Sequence, residues 1–233
     1  MTKHNSKLPE RTAKTDVANF LDKVAKAPVV KPAADRGRLI FAMDATASRE
    51  PTWESACEIQ SQMFDQAAVL GGLEIQLFYY RGQMEYLASP WLHSSQELKQ
   101  SMREVYCVGG MTQIGQVLRH ALRETKRRKV NALVFVGDCV EESAERLYQQ
   151  AGELGMHAVP LFLFQEGYEP TAEKVFRKMA QLTGGAYCPF NAGSAHQLAE
   201  LLSAVAVYAA GGRSALENFG GAAPKLLQQL KKG

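Results

Sequence analysis

The chain has 233 residues, of which 46% are hydrophobic and 22% are charged, a composition typical of a globular protein with one substantial core and short extensions. Its 27 lysines and arginines nearly balance 24 aspartates and glutamates, so the formal net charge is only +3. So small a net charge argues against a nucleic-acid-binding protein. The four cysteines lack metal-ligand spacing, which favours reduced thiols over disulfides: Cys57, Cys107, Cys139 and Cys188.

Three segments are expected along the chain. Residues 1–36 are interpreted as an extension with a short helix and a linker, residues 37–212 as the main domain, and residues 213–233 as a tail. The N-terminus is polar and lacks the apolar segment of a secretory signal, and no stretch approaches the roughly 20 apolar residues that cross a bilayer. A cytoplasmic protein that does not contact a membrane is therefore expected.

In the extension, apolar residues recur at helical spacing and are expected to pack on the main domain: Val17, Phe20, Leu21 and Val24. From Arg38 the apolar run RLIFAM leads to Asp44 and predicts a buried parallel strand. A long helix with one apolar face is predicted from Trp53 to Leu70. LEIQLFYY and MEYL then predict a strand and its antiparallel edge partner.

In the second half, a helix around 96–105 and the loop GGMTQIG precede a helix with an apolar stripe from Ile114 to Leu122. The apolar strand NALVFVGD ends in Asp138, and the strands PLFLF, which starts at Pro160, and AYCPF follow. Helices near 144–154, 171–182 and 195–210 alternate with these strands. The alternation predicts an α/β fold with a doubly wound, mostly parallel sheet of order 3-2-1-4-5-6, one antiparallel edge strand and helices on both faces.

Two aspartates follow neighbouring strands of this predicted sheet. The first and fourth strands meet at the switch point of the strand order, so Asp44 and Asp138 are expected to converge. The segment D-A-T-A-S also places Asp44, Thr46 and Ser48 in one tight loop. Carboxylate and hydroxyl oxygens suit hard cations, so the sequence predicts a divalent metal site for Mg²⁺, with Mn²⁺ or Ca²⁺ as alternatives.

D-A-T-A-S, GGMTQIG and VFVGD together resemble the metal-ion-dependent adhesion site (MIDAS) of von Willebrand factor type A (VWA) domains, whose pattern is D-x-S-x-S, then Thr, then Asp. The resemblance spans about residues 38–210 and implies a Rossmann-like VWA domain of the stand-alone, cytosolic bacterial type. It assigns the five motif positions to Asp44, Thr46, Ser48, Thr112 and Asp138. Thr46 departs from the usual serine, keeping the hydroxyl and adding a methyl group that bears on metal preference.

By this resemblance the chain is expected to be a metal-dependent protein–protein interaction module and not an enzyme. A partner protein, unidentified by the sequence, would supply a Glu or Asp to the bound ion. No nucleic acid is expected as a partner, and the protein is expected to be a monomer. The scattered histidines are expected to be surface or structural groups: His93, His120, His157 and His196.

Two alternatives remain open at this point. One is a metal-assisted hydrolase or phosphoryl-transfer enzyme with Glu141 or Glu142 as the base, although acidic residues are also favoured at the start of a helix by its dipole. The other is a scaffold with a decayed metal site, in which Ser48 caps a helix and the two aspartates accept loop amide hydrogen bonds. The basic run from Lys126 to Lys129 closes a helix and is interpreted as a solvated cap.

Overall fold

A six-stranded sheet forms the centre of the protein. The computed structural model describes residues 19, 20, 23, 36–52, 73–191 and 195–217. In this part of the chain the strands are β1 (Gly37–Asp44), β2 (Leu73–Arg81), β3 (Glu85–Ala88), β4 (Ala132–Gly137), β5 (Leu161–Glu166) and β6 (Ala186–Phe190). The order is β3-β2-β1-β4-β5-β6, and every pair is parallel except β2–β3. The predicted strand order and antiparallel edge are therefore confirmed.

Helices cover both faces of the sheet. They are α1 (Ser95–Arg103), α2 (Ile114–Arg127), α3 (Ala144–Met156), α4 (Pro170–Thr183) and α5 (Ala195–Glu217), and a short 3-10 helix spans Ala47–Thr52. Residues of α1 and α5 share a core with alternate residues of β1, and residues of α2, α3 and α4 share a second core with the others. Every residue of β1 is buried, which explains its continuous apolar sequence.

The N-terminal extension contributes one aromatic ring to the core. Phe20 is 1% exposed, and its ring centroid lies 5.2 Å from that of Phe164 and 6.1 Å from that of Phe162. Complete burial of a phenylalanine side chain stabilises a fold by about 2–3 kcal/mol. Phe20 thus packs on the main domain, as its place in the apolar stripe predicts.

The start of β5 differs from the sequence prediction. β5 begins at Leu161 and not at Pro160, although the Pro160 carbonyl still accepts a hydrogen bond from the Leu133 N–H at 3.0 Å. A proline has no N–H to give to the ladder, so it stands just before the strand. The helical segment Ala195–Glu217 is interrupted at Gly212, whose backbone is not helical (φ 68°, ψ −163°), so the helix predicted to end near residue 210 does break there and a second helical piece follows.

The basic run at the end of α2 makes specific contacts within the protein. Arg128 forms an ion pair with Glu74 at 2.9 Å, and the Lys129 ammonium donates hydrogen bonds to the carbonyls of His157 and Ala158 after α3. Burial lowers the pKa of Lys129. The interpretation as a solvated cap is therefore wrong for Lys129, which closes the neighbouring helix α3 instead.

Several predicted features fall outside the described residues. They are the predicted helix of 53–70, the tail beyond 217, and three residues of the N-terminal stripe, namely Val17, Leu21 and Val24. Among the helices of the described ranges, none combines the length and the apolar character that a membrane crossing requires.

Candidate metal site

Asp44 lies at the carboxyl end of the central strand β1 and is fully buried. Its Oδ1 accepts a hydrogen bond from the Thr46 N–H at 2.8 Å, and its Oδ2 accepts one from the Tyr80 hydroxyl at 2.9 Å. Tyr80 stands beside Asp44 in the parallel register of β1 and β2. The carboxylate is therefore fixed in orientation by one backbone and one side-chain donor.

The electrostatic state of Asp44 is unfavourable for a buried carboxylate. Burial raises its pKa, the hydrogen bonds from Thr46 and Tyr80 oppose the shift, and the nearby Asp138 carboxylate adds to it, so that the net shift is upward. Two carboxylates near each other in a poorly solvated place repel one another. A bound divalent cation would relieve this repulsion.

Thr46 and Ser48 place their hydroxyl groups together in the loop after Asp44. The Thr46 Oγ1 and Ser48 Oγ atoms are 3.1 Å apart, with Thr46 buried and Ser48 exposed. Ser48 lies in the short 3-10 helix Ala47–Thr52. The loop therefore presents one carboxylate and two hydroxyls within five residues, as D-A-T-A-S predicts.

Asp138 follows β4, the neighbour of β1. A Cβ atom added at Gly137 would lie 2.8 Å from the Phe135 ring and 3.5 Å from the Asp44 Cβ, so glycine leaves the room that the two strand ends need. The Oδ1 atom of Asp138 is buried and has no hydrogen-bond partner among the described residues. A buried carboxylate oxygen without a hydrogen-bond partner is rare in native proteins. Such an oxygen is a suitable ligand for a cation.

Thr112 is tied to the loop that follows Asp138. Its N–H donates to the Glu141 carboxylate at 2.8 Å, and the Glu141 N–H donates to the Thr112 Oγ1 at 3.0 Å. The structure thus brings the Thr112 loop against the Asp138 loop, and the Asp44 and Asp138 carboxylates into electrostatic contact.

Glu142 caps the helix that begins after Thr112. Its carboxylate accepts hydrogen bonds from the N–H groups of Ile114 and of Gly115, the latter at 2.9 Å. Glu141 and Glu142 thus bind the segment that leads into α2: Glu141 binds Thr112 in the preceding loop, and Glu142 binds the first turn of the helix. Burial raises the pKa of Glu142, and the two backbone donors oppose this shift.

Two residues of this region have no signal in the sequence motif. Tyr80 holds Asp44, and the buried Arg49 forms an ion pair with Glu166 at the end of β5. Arg49 directly follows Ser48, so this ion pair connects the loop that carries the two hydroxyl groups to the carboxyl end of β5. The position of Tyr80 at the end of a predicted strand could have indicated its contact with Asp44, but only if the register of β1 and β2 had been known.

The donor set suits a hard cation. In the described part of the chain, no group of three or more His, Cys, Asp or Glu side chains is arranged to hold a metal ion. The candidate site has two carboxylates and draws its other donors from hydroxyl groups, a composition suited to Mg²⁺ or Mn²⁺. Burial, followed by the Asp138 and Asp44 carboxylates, raises the pKa of the neighbouring Cys139 thiol to about 12 in the metal-free protein.

The remaining cysteines and histidines lie in ordinary settings. Cys107, Cys139 and Cys188 are free thiols, as expected, and Cys57 lies outside the described residues. His120 is buried and hydrogen-bonded to the Gln76 side chain at 2.7 Å, which is a structural role. His93 and His157 are exposed, and the His196 side chain is not among those described.

Comparison with known proteins identifies the fold. No family model and no curated protein sequence matches the chain. The SpRpn10 VWA domain superposes with a TM-score of 0.60 over 72% of this chain and 94% of that chain, at 12% sequence identity. The chain has the von Willebrand factor A fold.

Two further structures with similarity to this VWA fold carry metals. Proximal thread matrix protein 1 from the mussel byssus, with a zinc-occupied MIDAS motif, gives a TM-score of 0.59 over 73% of this chain and 46% of that chain, at 13% identity. The manganese-loaded Plasmodium vivax TRAP protein gives 0.53 over 76% of each chain, at 16% identity. At such low identity these likenesses establish the fold alone.

Proposed function

We propose that the protein is a non-enzymatic protein-binding module, in which a Mg²⁺ or Mn²⁺ ion at the MIDAS-like site binds an acidic residue of a partner protein. The observation that carries the proposal is the buried Oδ1 atom of Asp138, which has no hydrogen-bond partner among the described residues and belongs to a carboxylate that raises the pKa of Asp44. A cation between the two carboxylates would satisfy both requirements at once.

Each candidate ligand would have a defined role. Asp44 and Asp138 would neutralise the charge of the ion, while the hydroxyl groups of Thr46, Ser48 and Thr112 would add neutral oxygens. Neutral donors leave the ion electrophilic, so it would attract one more carboxylate from outside. Two structures with this fold, with zinc and with manganese, give the proposal support from similarity.

The contacts of Glu141 and Glu142 favour binding over catalysis. A general base needs a carboxylate that is available to a substrate or a water molecule. Both carboxylates instead accept backbone hydrogen bonds, Glu141 from Thr112 and Glu142 from Ile114 and Gly115. They serve as structural supports of the loop that carries Thr112, which argues against the hydrolase alternative.

The proposal is tested with a displayed library of random peptides that carry a fixed central Glu, selected on the full-length protein. We expect retention in Mn²⁺, loss of retention in EDTA and loss in the Asp44→Ala variant. A second library with Gln at the fixed position should not be retained, because an amide is a weaker ligand than a carboxylate for a hard cation. Equal retention of the Glu library in Mn²⁺ and in EDTA would refute metal-dependent binding.

A further inference from the structure

Exposed apolar side chains are concentrated beside the candidate metal site. Among the described residues, eight large hydrophobic side chains are exposed, and five of them belong to the β2–β3 hairpin or to the loop between α1 and α2: Met84, Tyr86, Leu87, Tyr106 and Met111. We call Met84, Tyr106 and Met111 the apolar rim; they are 79%, 63% and 61% exposed. A cluster of this kind is typical of an interaction surface.

The backbone connects the apolar rim to the Asp44 loop. The Gly82 N–H at the hairpin tip donates to the Val108 carbonyl at 3.3 Å, and the Val108 N–H donates to the carbonyl of Ala45 at 3.0 Å. Ala45 directly follows Asp44. The hairpin, the Tyr106–Met111 loop and the metal loop are therefore hydrogen-bonded in series.

The hairpin tip and the loop also approach very closely. A Cβ atom added at Gly110 would lie 2.0 Å from the Gly82 carbonyl oxygen, so the contact requires glycine at this position. The Gln113 side-chain amide donates to the Arg81 carbonyl at 3.2 Å from the other end of the loop. Met111 and Thr112 lie between these two attachments, which fixes the rim relative to the candidate ligand Thr112.

Tyr106 is held in place before any partner arrives. The Arg81 guanidinium lies 3.9 Å from the centre of the Tyr106 ring and is itself hydrogen-bonded to Glu85 at 2.8 Å. A side chain already ordered in the free protein loses little conformational entropy on binding. The ring is exposed and pre-organised, as a contact surface for an apolar group requires.

The opposite side of the site has a different character. Glu141 and Glu142 follow Asp138, and Glu166 ends β5, the next strand of the sheet. The carboxylates of Glu141 and Glu142 on this side repel further acidic groups of a partner, whereas the charge of Glu166 is offset by its ion pair with Arg49. The face thus offers an apolar surface on the hairpin side, where the charge of Arg81 is offset by Glu85, and negative charge on the other side.

We infer that the partner segment carries a large apolar side chain next to its single metal-binding acidic residue, and that this side chain packs on the apolar rim. The inference rests on the proposed function, since the bound ion would place the partner carboxylate beside Thr112. Burial of one large apolar side chain strengthens binding by about tenfold or more. A partner with consecutive acidic residues would lack this contact and would meet the acidic side.

The test reads the neighbours of the fixed Glu in the displayed library, selected on the full-length protein in Mn²⁺. We expect Phe, Leu, Met, Tyr or Trp next to the Glu to be enriched on the wild type. The double substitution Met84→Ser and Met111→Ser should reduce this enrichment about tenfold, and Tyr106→Ser should act in the same direction. Met156→Ser is the matched control, because this methionine is 82% exposed on α3 and lies outside the rim.

A calorimetric Mn²⁺ titration of the same proteins separates the two proposals. If the wild type binds Mn²⁺ but its selected peptides show no apolar preference, the inference that the partner packs on the apolar rim is overturned and the metal site stands. Absence of Mn²⁺ binding by the wild type would overturn both. An equal apolar preference in the wild type and in the double variant would also contradict the rim.

Discussion

Thr112 and Glu141 exchange two hydrogen bonds, so that the backbone of each residue binds the side chain of the other, at 2.8 and 3.0 Å. Glu141 therefore positions a candidate ligand without being one. We expect Glu141→Ala to weaken Mn²⁺ binding about tenfold to a hundredfold, as is usual when a residue that orients a metal ligand is lost. The dissociation constant from calorimetry measures this effect.

Glu141→Gln is the informative companion variant. Its amide oxygen can still accept the Thr112 N–H, so we expect a smaller loss than in Glu141→Ala. Glu173→Ala, which removes an exposed partner of Arg177 on α4, serves as the control and should leave the dissociation constant unchanged. Unaltered Mn²⁺ affinity in Glu141→Ala would show that the reciprocal bonds do not support the site.

Glu142 caps α2 from outside that helix, since its carboxylate accepts the N–H groups of Ile114 and Gly115. Loss of an N-terminal cap usually costs about 0.5–2 kcal/mol. We therefore expect Glu142→Ala to lower the free energy of unfolding by about 1–2 kcal/mol in urea denaturation without metal.

Ser143 provides the contrast for this prediction. It occupies the N-cap position of α3, yet its side chain makes no capping hydrogen bond and binds the exposed Glu145 instead. We expect Ser143→Ala to change the free energy of unfolding by less than about 0.5 kcal/mol. A larger loss of unfolding free energy in Ser143→Ala than in Glu142→Ala would contradict the assignment of Glu142 as the capping residue.

His120 should make the fold more sensitive to mild acid. Burial lowers its pKa, with Arg123 and Arg127 acting in the same direction and Glu124 opposing them. Because the folded-state pKa lies below the value of about 6.5 in the unfolded chain, the unfolded state takes up the proton first as the pH falls. The contribution of His120 to stability is therefore larger at pH 7 than at pH 5.

Urea denaturation of the wild type and of His120→Gln at several pH values measures this contribution. The difference in free energy of unfolding, wild type minus variant, should increase from pH 5 to pH 7. A pH-independent difference for His120→Gln would mean that its protonation is not coupled to folding.

The sheet and the approach of its two aspartates could be predicted from the sequence. The run RLIFAM and the segment NALVFVGD identify buried parallel strands, and the usual strand order makes the ends of β1 and β4 neighbours. Asp44 and Asp138 meet for that reason. The pattern of apolar residues was sufficient because every strand of this part of the sheet is covered on both faces.

The supports of the site could not be predicted in this way. Tyr80 reaches Asp44 because the two residues are partners in the β1–β2 register, and Arg49 meets Glu166 across the sheet edge. Such contacts depend on register and side-chain direction, which hydrophobic periodicity does not determine. Glu142 lies just before α3 in the sequence, but the close approach of two loops places its carboxylate at the N-terminus of α2.

The central claim is that the Asp44 and Asp138 carboxylates hold a divalent cation. Calorimetric titration of the full-length protein with Mn²⁺ and with Mg²⁺, at near-physiological salt, tests it most directly. We predict saturable binding of one ion per chain to the wild type and to the Glu173→Ala control, and loss of that binding in Asp44→Ala. Absence of binding to the wild type, or unchanged binding in Asp44→Ala, would contradict the claim.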